Sequence, residues 1–178
     1  MPILNGHLDQ NGHALIDVVV LPAAPRSRAL QAAGQPVPAP QRIFGMIDPG
    51  ATVTVIDQRV RQALNLVPFR ILRASLPNAP APVRVLAYKV DLFILYAGGY
   101  GYRVASLSVF EMTLAHTGAD ALIGCDVLRE CQFDHHGSAG TFSLAFSQPT
   151  LCNKTARPAM SPRTFERLNY KALQSPPA

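Results

Sequence analysis

Apolar residues along the chain recur mostly at every second position or in short β-branched runs, with turn formers between them. That spacing predicts strands rather than long helices. Residues 6–21 read as a hairpin or bent strand: Asn11-Gly12 gives a turn signal, and Ala14-Leu15-Ile16-Asp17-Val18-Val19-Val20 follows as a β-prone run. Residues 22–40 have no period and are expected to form a long surface loop. A strand over 42–47 runs into Asp48-Pro49-Gly50-Ala51, and the β-branched stretch 52–56 predicts another. Asp57 is placed to cap a short helix over 58–65, with Val60 and Leu64 on one face.

Residues 69–76 are extended again and lead to a proline-rich tip, Pro77-Asn78-Ala79-Pro80-Ala81-Pro82. Two long strands follow over 83–95 and 102–112, joined by Ala97-Gly98-Gly99-Tyr100-Gly101. Ala121-Leu122-Ile123-Gly124 predicts a short buried strand, and Gly124 permits a sharp turn into a helix over 127–131 that Asp126 is expected to cap. Residues 132–146 read as a closing hairpin turning at 136–140, with Phe142, Leu144 and Phe146 alternating. The pattern dissolves after Gln148. The expected organisation is one mostly β domain over 1–148 and a poorly ordered tail over 149–178.

Composition agrees with a folded body: 48% of residues are hydrophobic, 15% are charged, and 12 Gly and 16 Pro supply turns. The net charge of +5 is mostly in the tail. There Lys154, Arg157, Arg163, Arg167 and Lys171 stand against Glu166, a net +4 that leaves the body at +1. A body that close to neutral, without an aromatic-rich basic patch, is not expected to bind nucleic acid. Three cysteines at unremarkable spacing point to neither a disulfide framework nor a zinc site, so a reducing, cytoplasmic setting is expected. The first residues lack the basic and apolar regions of a signal peptide, and no apolar run is long enough to span a bilayer. His135-His136 is expected on a solvated turn rather than in a metal site, and Cys125 is expected to pack beside Gly124. No metal or cofactor is expected.

The chemistry concentrates at two places. Asp48 leaves an apolar strand inside a glycine turn, where amide N–H groups can approach a carboxylate that apolar neighbours would otherwise leave costly. Asp-Pro-Gly is equally an ordinary β-turn tripeptide. The second place is Ala121-Leu122-Ile123-Gly124-Cys125-Asp126-Val127-Leu128, an apolar strand, a glycine and a helix start.

In this order the two segments resemble the retropepsin family of aspartic proteases. That family has an Asp-Thr/Ser-Gly-Ala loop and a later hydrophobic-hydrophobic-Gly segment that braces it. The closing run Gly-Ser-Ala-Gly-Thr-Phe-Ser-Leu at 137–144 is similar to bacterial members, and the resemblance covers about residues 6–147. It implies a closed, mostly antiparallel acid-protease β-barrel with one or two short helices, active as a homodimer on a polypeptide substrate, without cofactor. Asp48 would be the catalytic carboxylate, Pro49, Gly50 and Ala51 its loop, and Leu122, Ile123 and Gly124 the bracing strand and turn. The flap would be the tip holding Pro77, Asn78 and Ala79, with the glycine-rich 98–101 loop as the other candidate. Pro49 departs from the family, removing both a hydroxyl and an N–H. A weak or inactive dimerisation or peptide-binding module on the same fold is therefore the alternative. An unrelated β-barrel in which Asp-Pro-Gly is only a turn is the third reading.

Overall fold

The computed structural model describes residues 3–75, 80–96, 101–115 and 117–146. The chain enters as β1 (Ile3–His7) and reverses where Asp9 Oδ1 accepts the N–H groups of Asn11 and His13, each at 2.8 Å, with Gly12 at φ +81°. This is the turn that Asn11-Gly12 predicts, but its arms part after a single bridge between Leu8 and Ala14. β1 joins a different sheet from β2 (Leu15–Pro22).

Residues 22–40 correct the sequence expectation. A helix, α1 (Ala24–Ala32), occupies the first half of the expected loop. Its residues are alanine-rich, and Pro25 lies in the first turn, where the missing N–H costs no helical bond. Gly34 closes it at φ +65°. The helix buries none of its residues, so it carries no apolar stripe that a periodicity reading could detect.

β3 (Gln41–Ile47) and the short β4 (Val55–Asp57) follow, with β4 beginning later than the β-branched stretch suggested. Asp57 caps α2 (Gln58–Ala63) as expected, accepting the Arg59 N–H at 2.9 Å. β5 (Arg70–Ala74), β6 (Val83–Leu95) and β7 (Gly101–Met112) form two successive hairpin pairs. β8 (Ala121–Ile123), α3 (Cys125–Leu128), β9 (Cys131–His136) and β10 (Thr141–Phe146) complete the described chain. His135 and His136 lie in β9, opposite Phe142 and Thr141, and the turn itself is Gly137–Ala139 with Gly140 at φ +64°.

Six strands close on themselves in the order β2-β3-β8-β4-β7-β6, because β6 also pairs with β2. β3–β8 and β4–β7 are parallel and the other four pairings antiparallel. β5 adds to the outside of β6, and β1-β10-β9 is a separate antiparallel sheet. Alternate residues fill the barrel: Val18, Val20, Val90, Leu92, Ile94 and Ile123 are fully buried. Each such side chain contributes about 1.5–3 kcal/mol relative to exposure. Phe142, Leu144 and Phe146 bring β10 into the same core, and the Phe146 ring stacks on Tyr102 with centroids 3.9 Å apart.

One irregularity interrupts the β6–β7 ladder. Val90 faces Leu107 and Leu92 faces Val104, so β7 carries one residue more than β6 there, a β-bulge. Ser106 takes φ +52°, and the buried Asp91 accepts its N–H at 2.8 Å and the Arg103 guanidinium at 2.6 Å. The extra residue thus has its backbone donor satisfied, and the buried carboxylate has a counter-charge.

Candidate active site

β3 and β8 run parallel with Ile47 beside Ile123, so Asp48 and Gly124 leave the same end of neighbouring strands. The Asp48 N–H donates to the Ile123 carbonyl at 3.0 Å, which continues the ladder one step past both strands. The chain then turns. Ala51 N–H returns to the Asp48 carbonyl at 3.1 Å, and Gly50 N–H donates to Asp48 Oδ1 at 2.9 Å. Pro49 occupies the second position of this turn, where its fixed φ fits. A Cβ on Gly50 would come 3.2 Å from Asp48 Oδ1, so glycine leaves that oxygen uncrowded. The Asp48 residue is half-buried between the exposed Pro49-Gly50 tip and the buried Ile47. Asp-Pro-Gly is thus a β-turn, and the turn holds the carboxylate.

The bracing segment grips the far half of the loop. Cys125 N–H donates to the Ala51 carbonyl at 2.8 Å, and Gly124 N–H donates to Thr54 Oγ1 at 3.1 Å. Gly124 itself is buried, and a Cβ there would sit 2.8 Å from both the Ala51 oxygen and the Val53 carbonyl carbon. No side chain fits without moving backbone, which is the physical reason for glycine at this position. Leu122 and Ile123 pair with β3 on one side, and Leu122 pairs with Val55 of β4 on the other.

Two residues of this network escape a sequence reading. Asp126 is not the cap of α3: Gly124 is the N-cap residue, without a side-chain hydrogen bond. Asp126 lies in the first turn, and its carboxylate reaches across to Thr54. It accepts the Thr54 N–H at 3.0 Å on each oxygen and the Thr54 hydroxyl at 2.7 Å on Oδ1. Thr54 is fully buried. The available signal was a hydroxyl inside a β-branched run, since a buried hydroxyl needs a partner. Which partner could not be read from the chain.

Cys125 also departs from expectation. It is exposed rather than packed, and its thiol donates to the Pro49 carbonyl at 3.2 Å. Cys131 is more enclosed, and burial, aided by the charge of Glu130, pushes its thiol up to about 11. At the end of β4, Asp57 is almost wholly buried. Burial alone would raise its carboxyl, but hydrogen bonds from the Arg59 side chain and backbone and from Leu114 N–H, with the Arg59 charge, hold it below the ordinary value of 3.8. A groove of about 510 Å³ borders Val53, Ser106 and Asp126, and Asp48 does not line it.

The flap candidates Pro77, Asn78 and Ala79 lie outside the described residues, as do 98–100 of the second candidate. The arms of the first are described: β5 and β6 pair from Arg70 with Ala87 to Ala74 with Val83. Among the described residues, no helix is long and apolar enough to cross a membrane.

No family model matches the chain. No curated protein matches it either. A solved structure does, that of a retropepsin-like aspartic protease from Rickettsia conorii. The match covers 82% of this chain and 91% of that one, with a TM-score of 0.50 and 12% sequence identity. The fold is retropepsin-like. At that identity the likeness speaks for the backbone path alone. Within this retropepsin-like barrel, Asp48 and Gly124 leave the parallel β3–β8 pair side by side.

Proposed function

We propose that the chain is an aspartic endopeptidase in which Asp48 works as half of a catalytic pair, the other half being Asp48 of a second copy. One observation carries the reading: a half-buried carboxylate at the end of a barrel strand, held by the Gly50 N–H at 2.9 Å, in a loop tied at both ends to the Ile123–Asp126 segment. A retropepsin-like chain supplies one such carboxylate, and a two-fold axis brings two together. Like charges at contact distance share one proton. The ionised member takes a proton from water as it attacks the peptide carbonyl, and the protonated member hydrogen-bonds the carbonyl oxygen. The carboxyl that took the water proton then gives it to the amide nitrogen as the tetrahedral adduct collapses, which breaks the C–N bond and releases the amine and the new carboxyl end. No covalent acyl-enzyme is formed.

A second reading has its own observation. Pro49 brings neither hydroxyl nor N–H to the place where two loops would meet. A pair of aspartates held about 1 Å too loosely loses on the order of 10²-fold in rate. The chain would then be a weakly active or inactive dimerisation or peptide-binding module. Cleavage of a denatured protein between pH 4 and 7 by the native chain, beside Asp48→Asn, separates the two. Hydrolysis by the native chain alone supports the peptidase. Silence of both at a concentration where a dimer is demonstrated by sedimentation supports the module.

A further inference from the structure

The outer strand of the large sheet has a one-sided chemistry. β5 is hydrogen-bonded to β6 along one edge, and its other edge is unpaired among the described residues. Register places Ile71 opposite Leu86 and, two residues along, Arg73 opposite Arg84, so all four share a face. All four are exposed, with Ile71 at 53% and Leu86 at 37%. On the reverse of the same hairpin Val85 and Ala87 are buried. The exposure therefore belongs to one face.

The charge on that face is uncompensated. Directly opposed like charges destabilise a strand pair. Neither Arg73 nor Arg84 has an acidic partner among the described residues, whereas Arg42, Arg59, Arg61 and Arg103 each pair with a carboxylate. The sequence from 58 to 90 contains no Asp or Glu at all.

We propose that the free edge of β5 binds an extended acidic polypeptide segment by strand addition. An apolar side chain of the segment lies over Ile71 and Leu86, and an Asp or Glu two residues along meets Arg73 and Arg84. The unpaired backbone groups supply the ladder, and the arginine pair supplies the selection. Other occupants fit less well. The chain's own segment 149–178 carries a net +4, and a second copy of this hairpin would bring a further arginine pair and no acidic residue. A nucleic acid would leave the apolar step of the strip unused. The inference goes beyond hydrolysis and does not depend on it.

The test is fluorescence anisotropy of a short labelled peptide that carries Val and Glu in turn at every second position, Val-Thr-Glu-Thr-Val-Thr-Glu, so that both lie on one strand face, on the full chain carrying Asp48→Asn so that nothing is cut. The same peptide with Lys in place of each Glu and an oligouridylate serve as competing probes. The acidic peptide should bind, weaken with added salt, and lose about tenfold or more in affinity on Arg73→Glu/Arg84→Glu. The same double variant should gain the Lys peptide, a gain that a misfolded chain cannot produce. Should that variant fail to fold, Arg84→Gln and an acidic peptide N-methylated on alternate amides must each weaken binding. Equal binding of acidic and basic peptides, retention of the acidic peptide by the variants, or preference for the oligouridylate overturns the proposal.

Discussion

Asp126 holds Thr54 by three contacts across 72 residues of chain, two from the backbone N–H at 3.0 Å and one from the hydroxyl at 2.7 Å. The hydroxyl in turn accepts the Gly124 N–H at 3.1 Å, so a single buried Thr joins the loop after Asp48 to the start of α3. Removing the carboxylate leaves two buried donors without their acceptor. Asp126→Ala should cost about 1.5–3 kcal/mol in chemical denaturation. Asp126→Asn keeps one acceptor oxygen and should lose less. Faster hydrogen exchange at Ala51, Thr54 and Cys125 at unchanged exchange elsewhere would locate the effect in the loop.

Two glycines should respond to alanine for different reasons. At Gly124 the added Cβ meets backbone at 2.8 Å, so the Asp48 loop must shift, with a loss of about 1–3 kcal/mol. At Gly140 nothing lies within 4 Å, and the cost comes only from φ +64°, about 1 kcal/mol. Thermal melts give both losses. Only Gly124→Ala should also move the backbone signals of Asp48 to Ala51.

Acid stability should depend on Asp57. Its carboxyl is held below the ordinary value, so the stability it contributes is complete above that value and is lost as pH falls through the lower, folded-state value. Asp57→Asn should destabilise the protein at neutral pH by about 1–3 kcal/mol, since the Arg59 and Leu114 donors lose a charged acceptor. The difference between the two proteins should shrink as pH is lowered below 4. A constant gap across that range would contradict the assignment.

Pro49 is the direct lever on the proposed reaction. Pro49→Thr returns a hydroxyl and an N–H to the turn without disturbing the Ala51-to-Asp48 bond that closes it. On the peptidase reading, the variant should gain on the order of 10²-fold in hydrolysis rate and dimerise more tightly. An unchanged rate beside a measurable native rate would mean that proline already holds the pair as well as threonine does.

The alternating apolar residues by themselves determined most of the strands, because a half-buried strand leaves a period of two in the sequence. β6 and β7 fall where that pattern puts them, at Val83–Leu95 and Gly101–Met112. So do the Asp57 cap and the closing hairpin, whose signals are local. Asp48 and Gly124 were legible as separate turns. Their adjacency was suggested only through a family resemblance, and it is the parallel pairing of β3 with β8 that creates it.

What the tertiary structure alone decided has a common physical cause. α1 has high local propensity but no buried face, so packing leaves no trace of it in the pattern. The direction of the Asp126 side chain, toward Thr54 rather than toward its own helix, depends on a neighbour 72 residues away. The exposure of Ile71 and Leu86 follows from their sharing the face of the β5–β6 pair that no other element covers among the described residues, while Val85 and Ala87 on the reverse are buried. Local preference and period are written along the chain. Which distant donor meets which acceptor, and which edge stays open, are consequences of closure of the barrel.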